Sequence, residues 1–243
     1  MQNNETEYLL NLIKESKPNK LNLKIKWCEG KEIIGIVGKL EDERVANLYK
    51  YETLYRTFLG LNEKISYSLV LAIKYTYTDE VTSDFGVLSS STENEKLAFY
   101  YIENAIFRTL TLWDILAQIY NIYCCINLPI KNIHYKDFFK NKLKTVEKEI
   151  DMIVKKIILY LEEEDGVDSE RFWKGNHTYI KKYRDQMIHR NAPDEYSFSN
   201  IGLNFKPHPS FILKRVIEDN YIVVSFIVEV LNRVNEQYAF GIL

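Results

Sequence analysis

The sequence predicts an all-α, up-and-down bundle of long helices. Apolar residues recur at intervals of three and four over long stretches. Glycine and proline are scarce, 9 and 5 in 243 residues, which leaves little material for the tight turns of a β-sandwich or barrel. Apolar residues make up 46% of the chain and charged residues 27%, enough to build a sizeable core without disulfides or metal.

The N-terminal third is mixed. Residues 5–15 read as a short helix with Tyr8, Leu9 and Leu12 as its apolar stripe, ended by Ser16-Lys17-Pro18-Asn19. Leu23, Ile25 and Trp27 then alternate with polar neighbours, so a small β-hairpin fits residues 22–38. Residues 42–78 return to helical spacing, as one bent helix or as two broken near Gly60. Residues 82–93 form the best linker, and their end is rich in N-cap residues. The organisation expected is an N-terminal extension, residues 1–91, followed by a helical bundle, residues 92–243.

Four long helical segments follow the linker, at about 94–126, 135–163, 169–190 and 210–238. Phe99, Ile102, Ile106, Leu110, Trp113, Ala117 and Tyr120 mark the apolar face of the first. Phe138, Leu143, Val146, Ile150, Ile153 and Ile157 mark that of the second. Ala192-Pro193 closes the third, because the residue before proline avoids the α region. Four such helices make a bundle.

Composition also bounds function. A formal charge of −2 provides no global attraction to nucleic acid or acidic membranes, so any such binding needs a local patch. The N-terminus lacks the basic and apolar blocks of a signal peptide, and the most apolar runs, 68–73 and 221–231, are too short to span a bilayer. No membrane association is expected. Cys28, Cys124 and Cys125 show no CxxC spacing and read as reduced thiols, so the expected location is cytoplasmic. His134, His177 and His208 lack partners at metal-ligand spacing, and no cofactor motif is present, so neither metal nor cofactor is expected.

Charge is distributed unevenly around the third helix. Residues 161–170 contain six acids and no base, whereas residues 171–190 contain six bases and one acid, net +5. Either this is a phosphate-binding patch, or the acidic run simply balances the basic helix. Within it, Asp185 and His189 are four apart and share a helix face, where a carboxylate can orient an imidazole. Arg184, on the neighbouring stripe, can grip a phosphate bidentately. A histidine that exchanges protons beside a phosphate-holding arginine is a sufficient minimum for metal-free RNA cleavage, with the ribose 2′-hydroxyl as nucleophile. Lys181, Lys182 and Arg190 are candidate phosphate contacts, and Glu103 and Asp114 could face the same cleft. An Arg184–His189 pair facing a basic groove on a two-fold axis would favour catalysis; a buried or carboxylate-paired Arg184 would sink it, leaving Arg184 as an ion-pair partner and His189 as a helix cap.

Arg184-Asp185-Gln186-Met187-Ile188-His189 resembles the R-x(4–6)-H signature of HEPN domains, including the polar residue after the arginine. The resemblance covers about residues 92–243. It implies a helical bundle that forms a homodimer, with the motifs of two subunits converging on one cleft. It also implies a metal-independent endoribonuclease, in toxin–antitoxin, phage-defence or RNA-processing settings, with an antitoxin or regulatory protein as a further partner. Arg184 would then hold the scissile phosphate, His189 would act as acid or base, and Asp185 would orient it. Some members are instead non-catalytic bundles that bind a nucleotide or a protein. One branch carries a modifiable tyrosine two residues after the histidine; that position here is Asn191.

Overall fold

The computed structural model describes residues 2–18, 43–126, 128–142, 152–167, 173–189, 197–199 and 202–239. The hairpin expected at residues 22–38 lies outside them. The architecture is all-α. Its helices are α1 (Gln2–Glu15), α2 (Glu43–Thr76), α3 (Asp79–Ser83), α4 (Glu93–Tyr123), α5 (Tyr135–Asp137), α6 (Met152–Glu162), α7 (Asn176–His189) and α8 (Pro209–Ala239). The described residues also form two short antiparallel ladders: β1 (Gly166–Val167) with β2 (Trp173–Lys174), and β3 (Ser197–Ser199) with β4 (Gly202–Asn204).

The central element is α4. Thr92 starts it by accepting the Glu95 backbone N–H on its side-chain oxygen at 3.2 Å. The helix ends at Cys124-Cys125, where Cys125 takes a φ of +51°. Asn121 then clamps the outgoing chain through both its amide nitrogen and its amide oxygen to Leu128. Along its length α4 packs on α2 and on α8, and α1 touches α2 and α8. Gly60 does not break α2, which is continuous over 34 residues; a Cβ there would meet nothing within 4 Å. Leu9, Phe58, Trp113, Ile157, Ile180 and Ile227 belong to one continuous buried core, so helices from both halves of the chain share it.

Two segments depart from the periodicity reading. Of the second bundle helix, expected over 135–163, the described parts are α5, a π turn over Phe138–Lys142 and α6; Leu143, Val146 and Ile150 lie outside the described residues. Phe138 and Phe139 are both fully buried there. The third helix starts at Asn176 rather than 169. Gly175 sits in the left-handed region at φ +68°, and a Cβ there would lie 2.5 Å from the backbone of Glu164 and Asp165. The chain therefore turns sharply at Gly175 before α7 can begin.

Buried polar contacts pin the connections. Lys206 and Glu95, each 1% exposed in its side chain, pair at 2.6 Å and tie the segment before α8 to the start of α4. The Arg215 guanidinium, also buried, donates to Asp165 at 2.6 Å and stacks among the rings of Trp173, Tyr179 and Phe211. It holds the β1–β2 ladder, and with it the entry into α7, against α8.

Candidate functional site

Helix α7 carries the motif, and its placement is set by its first turn. The Glu163 carboxylate accepts the Gly175 N–H at 2.9 Å, and the Asn176 amide donates to Glu218 at 2.8 Å. His177, 2% exposed, faces a carboxylate in the middle of the core. That carboxylate, Asp219 of α8, accepts the Trp113 indole N–H at 3.1 Å and the Tyr160 hydroxyl at 3.0 Å. His177 Nδ1 lies 3.3 Å from Asp219 Oδ1, a close electrostatic contact without hydrogen-bond alignment. On its other side, His177 Nε2 meets the Tyr135 hydroxyl at 2.8 Å. Residues of α4, α5, α6, α7 and α8 thus form one network around a fully buried acid.

The network fixes the rotation and depth of α7. Arg184 is seven residues beyond His177, two turns along the same face. Its charge acts on both Asp114 of α4 and Tyr135 of α5. Asp114 accepts the Tyr135 backbone N–H at 3.2 Å. Burial pushes the Asp114 carboxyl above the usual range, against the opposing pull of that N–H, His134 and Arg184. Burial likewise pushes the Tyr135 phenol up, reinforced by Asp219 and Asp114 and opposed by Arg184.

Beside this face lies a cleft of about 390 Å³, lined by residues that include Lys136, His177, Lys181, Lys182, Asp185 and Gln186. Lys136 is held below the usual lysine range, first by burial and then by the charges of Lys181 and Lys140. Lysines crowded in this way favour an anion in the cleft. Among the described acids of residues 161–170, Glu162 pairs with Lys140, Glu163 holds Gly175, and Asp165 pairs with Arg215.

The motif residues divide. Arg184 Nε donates to Asp185 Oδ1 at 2.9 Å, and Lys181 Nζ lies 3.8 Å from Asp185 Oδ2. Asp185, expected to orient His189, thus turns its carboxylate towards Arg184 and Lys181. The pair is accessible, with side-chain exposures of 31% and 45%. Such a surface bridge contributes about 0–1 kcal/mol, so an incoming phosphate can replace it. The bond uses one of the five N–H groups of the guanidinium. His189 ends α7 in the described backbone; its side chain and all of Arg190 lie outside the described residues.

Of the remaining sequence candidates, Glu103 is half-buried on α4. His208 is held by Ser210 and the Val81 carbonyl at the start of α8. Cys124 and Cys125 are free thiols. No group of three or more His, Cys, Asp or Glu residues suited to a metal ion occurs among the described residues. No described helix is long and apolar enough to cross a membrane. The sequence reading missed the roles of His177, Tyr135, Lys136 and Asp219. The one signal available was the seven-residue interval from His177 to Arg184; Asp219 and Tyr135 reach the site only through folding. No family model, curated protein or solved structure matches this chain.

Proposed function

We propose that the chain is a HEPN-type, metal-independent endoribonuclease that cleaves RNA by attack of the ribose 2′-hydroxyl, in a toxin–antitoxin or phage-defence setting. The supporting observation is the lysine-lined cleft on α7, where Lys136, Lys181 and Lys182 gather beside the helix that bears Arg184 and His189. In this reading Lys181, Lys182 and Arg190 hold the RNA backbone, and Arg184 leaves Asp185 to grip the scissile phosphate. His189 transfers a proton. The resemblance adds a homodimer, measurable by light scattering, and an antitoxin or regulatory protein as partner.

The test is incubation with total RNA in EDTA, comparing the wild type with Arg184→Ala and His189→Ala. Cleavage by the wild type alone, leaving cyclic-phosphate ends, supports the assignment. Equal cleavage by all three refutes these residues, and intact RNA throughout refutes the activity.

One observation favours a second reading, a non-catalytic bundle that binds a nucleotide or protein. Arg184 is already paired with Asp185. In that case the cleft binds labelled RNA or nucleotide without cutting it, and Arg184→Ala leaves binding nearly unchanged.

A further inference from the structure

The lysine-lined cleft on α7 adjoins a second cavity, of about 200 Å³. Lys182 and Gln186, one turn apart on α7, line both and form the ridge between them. The other walls of the second cavity include Asp165, just before β1, Tyr179 on α7, and Phe205 and Pro207 in the segment between β4 and α8. His189 follows Lys182 by seven residues and Gln186 by three, so the ridge runs on along one helix face to the motif histidine.

The cavity is smaller than the about 300–1,000 Å³ of sites that take a whole small ligand, and its size suits one planar ring system. Phe205 is 52% exposed and offers an aromatic face there. Tyr179 does not, because the Arg215 guanidinium covers its ring at 4.4 Å. Lys206 is drawn inward by Glu95 at 2.6 Å, which leaves its two neighbours, Phe205 and Pro207, at the cavity. Asp165 Oδ1 accepts the buried Arg215 guanidinium at 2.6 Å, so the carboxylate is held in place at the cavity wall. A carboxylate has about four acceptor sites, and this bond leaves others open to a ligand. The Gln186 amide adds both a donor and an acceptor.

Building on the RNA site read above, we propose that this cavity is its base subsite, which takes one unstacked base carrying an exocyclic amino group. The base stacks on Phe205 and its amino group donates to Asp165. Lys182, on the ridge, holds the phosphate that joins this base to the nucleotide in the cleft. Uracil presents a carbonyl oxygen where cytosine presents its amino group. Set against Asp165, that oxygen brings two acceptors together, so uracil is disfavoured.

The test measures fluorescence anisotropy of the full-length protein with short labelled oligo(C) and oligo(U), in which fluorine replaces each 2′-hydroxyl so that neither can be cut. Cleavage of total RNA in EDTA is followed in parallel. Wild type should bind oligo(C) about tenfold or more tighter than oligo(U). Phe205→Ala should weaken oligo(C) binding about 5- to 150-fold, whereas Phe205→Trp should retain it. Asp165→Asn keeps an oxygen for Arg215 and gains a donor, so it should erase the discrimination against oligo(U). Circular dichroism checks that this variant folds; if it does not, the wild-type preference and the exposed Phe205 positions decide. Equal binding of both oligomers by the wild type, or oligo(C) binding that Phe205→Ala leaves unchanged, overturns the base subsite. Cleavage of total RNA in that case leaves the ribonuclease reading standing. A preference for oligo(C) that depends on Phe205, without cleavage, supports the subsite and overturns the catalytic reading. Neither binding nor cleavage overturns both.

Discussion

Asp219 accepts the indole N–H of Trp113 at 3.1 Å, a bond between α8 and α4 across 106 residues of sequence. Both residues are 0% exposed. A carboxylate with no access to water stays in a core only when donors surround it. Trp113 and Tyr160 donate to it, the His177 ring lies beside it at 3.3 Å, and the acid in turn fixes four helices relative to one another.

Asp219→Ala should therefore be among the most damaging single changes in the molecule. It strands the Trp113 N–H, the Tyr160 hydroxyl and the inner face of His177, at a cost of about 3–5 kcal/mol. Trp113→Phe, which removes one donor and keeps most of the volume, should cost less. Urea denaturation ranks the two, and a smaller loss in Asp219→Ala would mean that the network holds little of the fold together.

The Lys206–Glu95 pair behaves differently because both charges are enclosed. Lys206→Met alone leaves a buried carboxylate without its counter-charge and should cost about 3–5 kcal/mol. Lys206→Met with Glu95→Leu removes both charges and should recover most of that loss. Thermal melts of the two single variants and the double variant measure the coupling directly.

Asp114 should leave a signature in pH. Burial raises its folded-state pKa above the unfolded value, so ionising it costs more in the folded chain. Its favourable contribution is full below the unfolded value of about 4 and is lost as pH rises through the folded value. Asp114→Asn retains an oxygen for the Tyr135 N–H and removes the charge. The variant should gain stability over the wild type at neutral pH, with the advantage vanishing in acid. Urea midpoints at about pH 3.5 and about pH 7 test this. A variant less stable than wild type at neutral pH would show that the pull of Arg184 and His134 on the carboxylate outweighs its burial.

Lys181 and Lys182 should act on RNA through charge alone. Each replacement by alanine is expected to weaken single-stranded RNA binding without altering sequence preference. The salt slope should fall by about 0.7 for every phosphate that the missing lysine would have neutralised. Fluorescence anisotropy over a range of salt concentrations provides the slope. Unchanged slopes would place the RNA elsewhere.

Periodicity alone marked out α4 and α8 closely, since each is a long run with an unbroken apolar face and clear end signals. It also singled out the basic helix and the Arg184–His189 interval, because charge and spacing along one helix are written in the order of residues. It overran the start of α7, where a single glycine at φ +68° ends the preceding turn, and it smoothed over the π turn that buries Phe138 beside Phe139. What it could not contain is the meeting of Trp113, Tyr135, Tyr160, His177 and Asp219, or the pull of the Arg184 charge on Asp114. Local propensity and periodicity act over a few residues, whereas these contacts depend on how five helices pack. That packing, through the common need of the helices to bury apolar faces and satisfy one enclosed carboxylate, decides which side chains surround the motif.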